Sequence, residues 1–191
     1  MKKTIPLLAF LALTQIASLP ALQMEGVNVP PQVTVDGKTL KLNGAGVRTV
    51  VLLVVPIKAY VGAFYTPTPL RSEAAVMASP GPFRFDFTFL QAVSQSQGAQ
   101  AWQAQFKDSA TFQYQQLTVD VATFSAFFGP IRQLGVQSVE ISGDVTRVFE
   151  NGTLKGTIPG RNFQKAFLSL WFGSNPVTPS LKSAFLNGQS G

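Results

Sequence analysis

The 191-residue chain contains no cysteine and no histidine, and this decides most of what its chemistry can be. Disulfides, thiolate nucleophiles, zinc fingers, haem on a His or Cys ligand and His-based catalytic triads are all excluded. What remains is Arg, Lys, Tyr, Ser, Thr, Asn, Gln and nine carboxylates. Asp120, Glu140, Asp144 and Glu150 are scattered along the chain, so neither a metal site nor a glycosidase pair is expected. Gly44 and Gly46 make a lone G-x-G, with no third glycine and no Walker lysine behind it, which is too little for a phosphate cradle. Tyr60 and Tyr65 read either as core tyrosines with satisfied hydroxyls or as hydroxyls at a site. Trp102 and Phe106 stand one helical turn apart, the spacing of a helix face packed on a sheet or of a pocket wall. No cofactor is called for by any of these residues.

Hydrophobic residues make up 46% of the chain and charged residues 13%, the reverse of a disordered composition. The length is that of one domain. Phenylalanine appears 16 times against three tyrosines and two tryptophans, so the interior must be rich in aromatic rings. Fifteen Lys and Arg against nine Asp and Glu give a formal net charge of +6 and a pI near 9.8. No window gathers those cations into the basic face of a nucleic-acid binder, and no nucleic-acid partner is expected.

Lys2-Lys3 precede an apolar run over residues 5–13, followed by Thr14, Gln15, Ser18, Pro20 and Ala21. This is the layout of a secretory signal peptide over residues 1–23, with cleavage after Ala21 or Gln23. The run is too short for a transmembrane anchor and Pro20 breaks it; a lipoprotein would need a cysteine. The expectation is one domain over residues 24–191, soluble after signal removal and periplasmic or secreted. The oligomeric state is left open.

Within that domain, residues 24–32 read as an extended lead-in. Asp36-Gly37 between alternating apolar residues marks a hairpin. Residues 50–65 form a strand-rich run interrupted by Pro56. Phe83, Phe85, Phe87 and Phe89 alternate with Arg84, Asp86 and Thr88, a half-buried antiparallel strand. Further strands are expected at 136–141 and at 145–158, folded at Asn151-Gly152. Helices are expected from the Ser72 cap to Met77, over 91–107, over 120–128, along the apolar face of Phe163, Ala166, Phe167, Leu170 and Trp171, and after Thr178-Pro179. The fold class is α+β: an antiparallel sheet with helices mainly on one face.

The segment Leu42-Asn43-Gly44-Ala45-Gly46-Val47-Arg48, followed by Pro56-Ile57-Lys58-Ala59-Tyr60-Val61-Gly62-Ala63-Phe64-Tyr65, resembles the bacterial chalcone isomerase-like family. Trp102, Asn151-Gly152, Ile158-Pro159-Gly160-Arg161-Asn162-Phe163, Leu170-Trp171-Phe172-Gly173 and Pro179-Ser180-Leu181-Lys182 follow in the family's order. The resemblance implies an open-faced β-sandwich, a large antiparallel sheet backed by a layer of helices. It places Arg48 where the plant enzymes of the superfamily hold a substrate phenolate, a role that suits a permanently charged, planar side chain. Two of their threonines fall on Ala59 and Leu181 here, and their helical site residues have no clear counterpart within 91–107, so chalcone cyclisation is not expected and catalytic residues stay unassigned. Other relatives of this fold bind fatty acids, an Arg and a Tyr gripping the carboxylate. On that resemblance the ligand-binding candidates are Arg48, Tyr60, Tyr65, Trp102 and Phe106. Three readings stay open: a binder of a fatty acid or similar small amphipathic anion, an intramolecular lyase or isomerase using Arg48 and a tyrosine, and an interaction module whose cleft is filled by its own side chains. The structural alternative for Arg48 is a pair with a carboxylate such as Asp86 or Glu140.

Overall fold

A computed structural model describes residues 21–188. The expected signal peptide lies mostly outside the described residues; Ala21, Leu22 and Gln23 are inside them. Leu22 and Gln23 belong to β1 (Leu22–Met24), which pairs antiparallel with β2 (Val27–Val29) across Glu25-Gly26. The extended lead-in expected at 24–32 is therefore corrected to the second half of a hairpin. Glu25 and Gly26 both carry positive φ, the geometry of a two-residue hairpin turn.

The remaining strands form one seven-stranded antiparallel meander: β3 (Gln32–Val35), β4 (Lys38–Leu52), β5 (Val55–Thr66), β6 (Phe83–Phe89), β7 (Val136–Ser142), β8 (Val145–Glu150) and β9 (Thr153–Pro159). Asp36-Gly37 and Asn151-Gly152 make the turns expected of them, each with positive φ at both residues. The run at 50–65 does divide into two strands, but at Leu53-Val54, where Leu52 pairs with Val55. Pro56 sits inside β5 opposite Val51.

Helices α1 (Glu73–Ala78), α2 (Gln95–Ser109), α3 (Thr111–Gln116), α4 (Thr118–Ala126), α5 (Arg161–Phe172) and α6 (Pro179–Asn187) cover one face of the sheet. Sequence pattern did not anticipate α3. Ser72 caps α1, and Ser94 with Gln97 forms a complete capping box on α2. The alternating phenylalanines of β6 meet these helices. Phe85 stacks on Phe64 with centroids 4.6 Å apart and meets Phe167 edge-on at 5.3 Å. The opposite face carries a smaller apolar cluster beneath the β1–β2 hairpin, built on Val61, Ala63 and Tyr65.

Two irregularities in the β4–β5 ladder set the rest. At the first, Leu42 pairs with Tyr65 but Gly44 with Phe64, leaving Asn43 as the extra residue. Its buried amide donates to the Leu70 and Phe185 carbonyls and accepts from the Leu70 N–H, fastening α6 to the sheet. At the second, Arg48 pairs with Tyr60 but Thr49 with Lys58, so Ala59 is extra. Bulges of this kind re-aim side chains next to sites.

Candidate functional site

Strand alternation sends Tyr60, Gly62 and Phe64 toward the helices and Val61, Ala63 and Tyr65 away from them. Arg48, directly opposite Tyr60, shares its face. Because Ala59 is the bulged residue, both Ala59 and Tyr60 border the space between the sheet and α2. That space is a cavity of about 410 Å³ lined by Arg48, Val50, Ala59, Tyr60, Phe89, Val93 and the face of α2 carrying Gln97, Gly98, Ala101, Trp102 and Gln105. Its volume is within the range of small-molecule pockets, roughly 300–1,000 Å³. The lining is mostly apolar, with a few polar groups converging at the Arg48 end.

Arg48 Nη1 donates to the Tyr60 hydroxyl at 3.3 Å, and its Cζ lies 5.6 Å from the Tyr60 ring centroid. The guanidinium makes no ion pair among the described residues, and its buried Nε has no hydrogen-bond partner. A buried donor left unmatched costs about 1–3 kcal/mol, so an acceptor placed beside Arg48 Nε would be favoured. Gln105 Oε1 is likewise buried and unpartnered. Both residues also line a smaller cleft of about 250 Å³ toward Asp108 and Asn175, so the charged end of the cavity sits at its wall rather than in the deep core.

The two carboxylates considered as structural partners of Arg48 are on the other face of the sheet. Asp86 accepts from Arg84 Nε at 2.8 Å, and Glu140 from Arg84 Nη1 at 3.0 Å and Arg147 Nε at 3.4 Å. Arg147 also pairs with Asp36 at 2.6 Å, which lowers the Asp36 pKa. These pairings occupy both carboxylates and leave Tyr60 as the side-chain hydrogen-bond partner of Arg48 among the described residues.

Of the five candidate ligand residues, the structure brings together Arg48, Tyr60 and Trp102. Tyr65 is separated from them by the thickness of the sheet, because five residues on one strand is an odd step. Its hydroxyl lies beside a distinct cavity of about 250 Å³ whose arginine, Arg84, is already paired. Phe106 is fully buried against Phe124 and Phe163 and does not reach the cavity. Sequence reasoning missed Gln97 and Gln105. Their positions at i, i+4 and i+8 with Ala101 were legible as one face of α2, but nothing in the sequence said which face met the opening.

Burial pushes the Tyr60 hydroxyl above its ordinary pKa despite the opposing effect of Arg48, and burial also raises Tyr65. Tyr60 therefore stays a neutral donor through physiological pH. Both groups keep their proton when folded at a pH where the unfolded chain has lost it. Their contribution to stability is full below about pH 10 and falls above it, by about 1.4 kcal/mol per pH unit for each tyrosine. Urea unfolding from pH 8 to 11 should show this decline, and Tyr60→Phe should remove one share of it. A flat profile up to pH 11 would contradict the burial assignment.

A curled seven-stranded antiparallel sheet backed by helices is the chalcone isomerase-like fold. The chain belongs to the chalcone isomerase-like family, whose model matches residues 21–187. Among solved structures, a fatty-acid binding protein of Arabidopsis thaliana superposes with a TM-score of 0.72 at 13% identity, covering 88% of this chain and 96% of that one. None of the curated proteins matches the sequence. No helix among the described residues is long and apolar enough to cross a membrane.

Proposed function

We propose that this protein binds a fatty acid or a closely related amphipathic anion, with the carboxylate on Arg48 and Tyr60 and the chain in the cavity between the sheet and α2. The observation that carries the reading is the guanidinium of Arg48, which lines an apolar cavity with no carboxylate within ion-pair distance among the described residues and with a buried Nε–H that has no partner there. Arg and a neutral Tyr hydroxyl supply charge-assisted hydrogen bonds to a head group, and each buried methylene of a tail adds about 0.8 kcal/mol. The fatty-acid binding activity named for the Arabidopsis relative supports the choice of ligand class. The polar groups on the lining are Arg48, Tyr60, Gln97 and Gln105. Ala59 lines the cavity without a hydroxyl, and Leu181 packs in the core against Gly46 and Gly62. This lining favours holding an anion over closing a ring.

Mass spectrometry of the purified, denatured protein tests the reading directly. Acyl chains should co-purify with wild type in near-stoichiometric amount and be depleted in Arg48→Ala. Equal acyl content in both proteins, or none in either, would overturn it.

Export belongs to the same proposal. Cleavage after Ala21 would leave β1 whole, whereas cleavage after Gln23 would remove two of its three residues. Expressed with its native N-terminus in a bacterium, the protein should be recovered from the periplasm beginning at Leu22. Cytoplasmic protein retaining Met1 would count against export.

A further inference from the structure

Beyond the bulge at Ala59, β4 and β5 leave the sheet. β3 pairs with β4 only as far as Lys41, and β6 pairs with β5 only from Tyr60. The ribbon over residues 49–58 therefore stands free of the other strands among the described residues. Its sequence, TVVLLVVPIK, carries no charge until Lys58. Val51 is 69% exposed, Leu53 92%, Val54 88% and Val55 57%. Leu53 adopts a positive φ of 60°, a conformation that Asn or Gly would take more readily. An apolar side chain at a strained, fully exposed turn calls for a reason.

We propose that this hairpin is a finger that inserts into the surface of an anionic lipid bilayer. Alternate residues of a ribbon point to opposite faces, and here both faces are apolar. A protein groove or a second copy would cover one face and leave the other in water, whereas the acyl boundary of a bilayer accepts both. From the Thr49–Lys58 pair to the Leu52–Val55 pair is three ladder steps, about 10 Å, comparable to the depth reached by interfacial segments. At that level Lys58 is 57% exposed on its side chain and paired with Glu25 at 2.8 Å, and without Lys2 and Lys3 the chain keeps 13 Lys and Arg against nine carboxylates, a net positive charge complementary to anionic head groups. The finger also runs into the cavity: Val50 belongs to both, and Arg48 follows it inward. The insertion itself does not depend on what the cavity holds.

The test uses Leu53→Asn/Val54→Gly, which installs the turn sequence the backbone already favours while removing the apolar tip. In flotation with vesicles of equal parts phosphatidylcholine and phosphatidylglycerol, wild type should partition onto the vesicles and the double variant about tenfold less or weaker still. The thermal midpoint of the variant should be unchanged or higher, and its uptake of fatty acid from solution unchanged, since neither residue lines the cavity. Failure of acyl uptake in both proteins would leave the vesicle result standing and would count against the ligand alone. Wild type that does not float, or a variant that floats equally well, overturns the proposal. So does a wild-type dimer that the double variant abolishes without any vesicle binding, which would make the finger a contact between copies.

Discussion

Replacing Arg48 by alanine is expected to weaken a long-chain fatty acid by about 2–4 kcal/mol, roughly 30- to 1,000-fold in Kd, because a buried carboxylate loses its charge-assisted partner. The matching long-chain alcohol should bind wild type and mutant about equally, since its tail occupies the same walls and its head group carries no charge. Thermal stability should change little: Arg48 has no carboxylate partner among the described residues, and its internal contact is the 3.3 Å bond to Tyr60. Tyr60→Phe should cost the fatty acid less, about 1 kcal/mol, as it removes one neutral donor and keeps the ring. Titration calorimetry with the acid and the alcohol decides the matter. If Arg48→Ala weakens both ligands alike, or neither, the arginine is structural and the fatty-acid reading fails.

Gly44→Ala should destabilise the fold by about 3 kcal/mol or more, although it adds only one methyl group. A Cβ at Gly44 would lie 2.0 Å from the Ala184 carbonyl oxygen and 2.8 Å from that of Phe185, both in the backbone of α6. The helix cannot step back, because Asn43 holds the Phe185 carbonyl at 2.7 Å and Arg71 donates to the Leu186 carbonyl at 3.2 Å. For a chain of this size the thermal midpoint should fall by about 10 °C. Gly98→Ala is the contrast: its new Cβ would meet nothing nearer than 3.9 Å, and alanine in a helix should stabilise by up to about 1 kcal/mol. A Gly44→Ala midpoint within a degree or two of wild type would refute the packing argument. The G-x-G of this chain is thus a seat for a helix. Gly46 and Gly62 extend it, their Cβ positions opposed by Ala184, Leu181 and Phe185.

The family motif and the element order were legible in the sequence because both depend on local rules. Asp36-Gly37 and Asn151-Gly152 must turn, Phe83 to Phe89 must alternate, and the apolar face from Phe163 to Trp171 must seek a sheet. The β1–β2 hairpin was less visible, since three-residue strands leave almost no periodicity to read. Arg48 and Tyr60 could be named from the resemblance to the family, but their meeting could not be derived from spacing: it depends on the extra residue at Ala59, and a bulge has no sequence signature of its own. The same parity excluded Tyr65, five residues along the strand and so on the opposite face. Phe106 and Trp102 share a face of α2 and both are buried in the core, yet only Trp102 also reaches the cavity. That division was made by how α4 and α5 pack on α2 rather than by either side chain. By itself the sequence determined the hairpins at Asp36-Gly37 and Asn151-Gly152, which faces are apolar, and that any chemistry must rest on groups other than His and Cys. The tertiary structure decided that Arg48 has no carboxylate partner among the described residues, because Asp86 and Glu140 are taken by Arg84 and Arg147 across the sheet, and long-range charge pairing is settled by strand register rather than by distance along the chain.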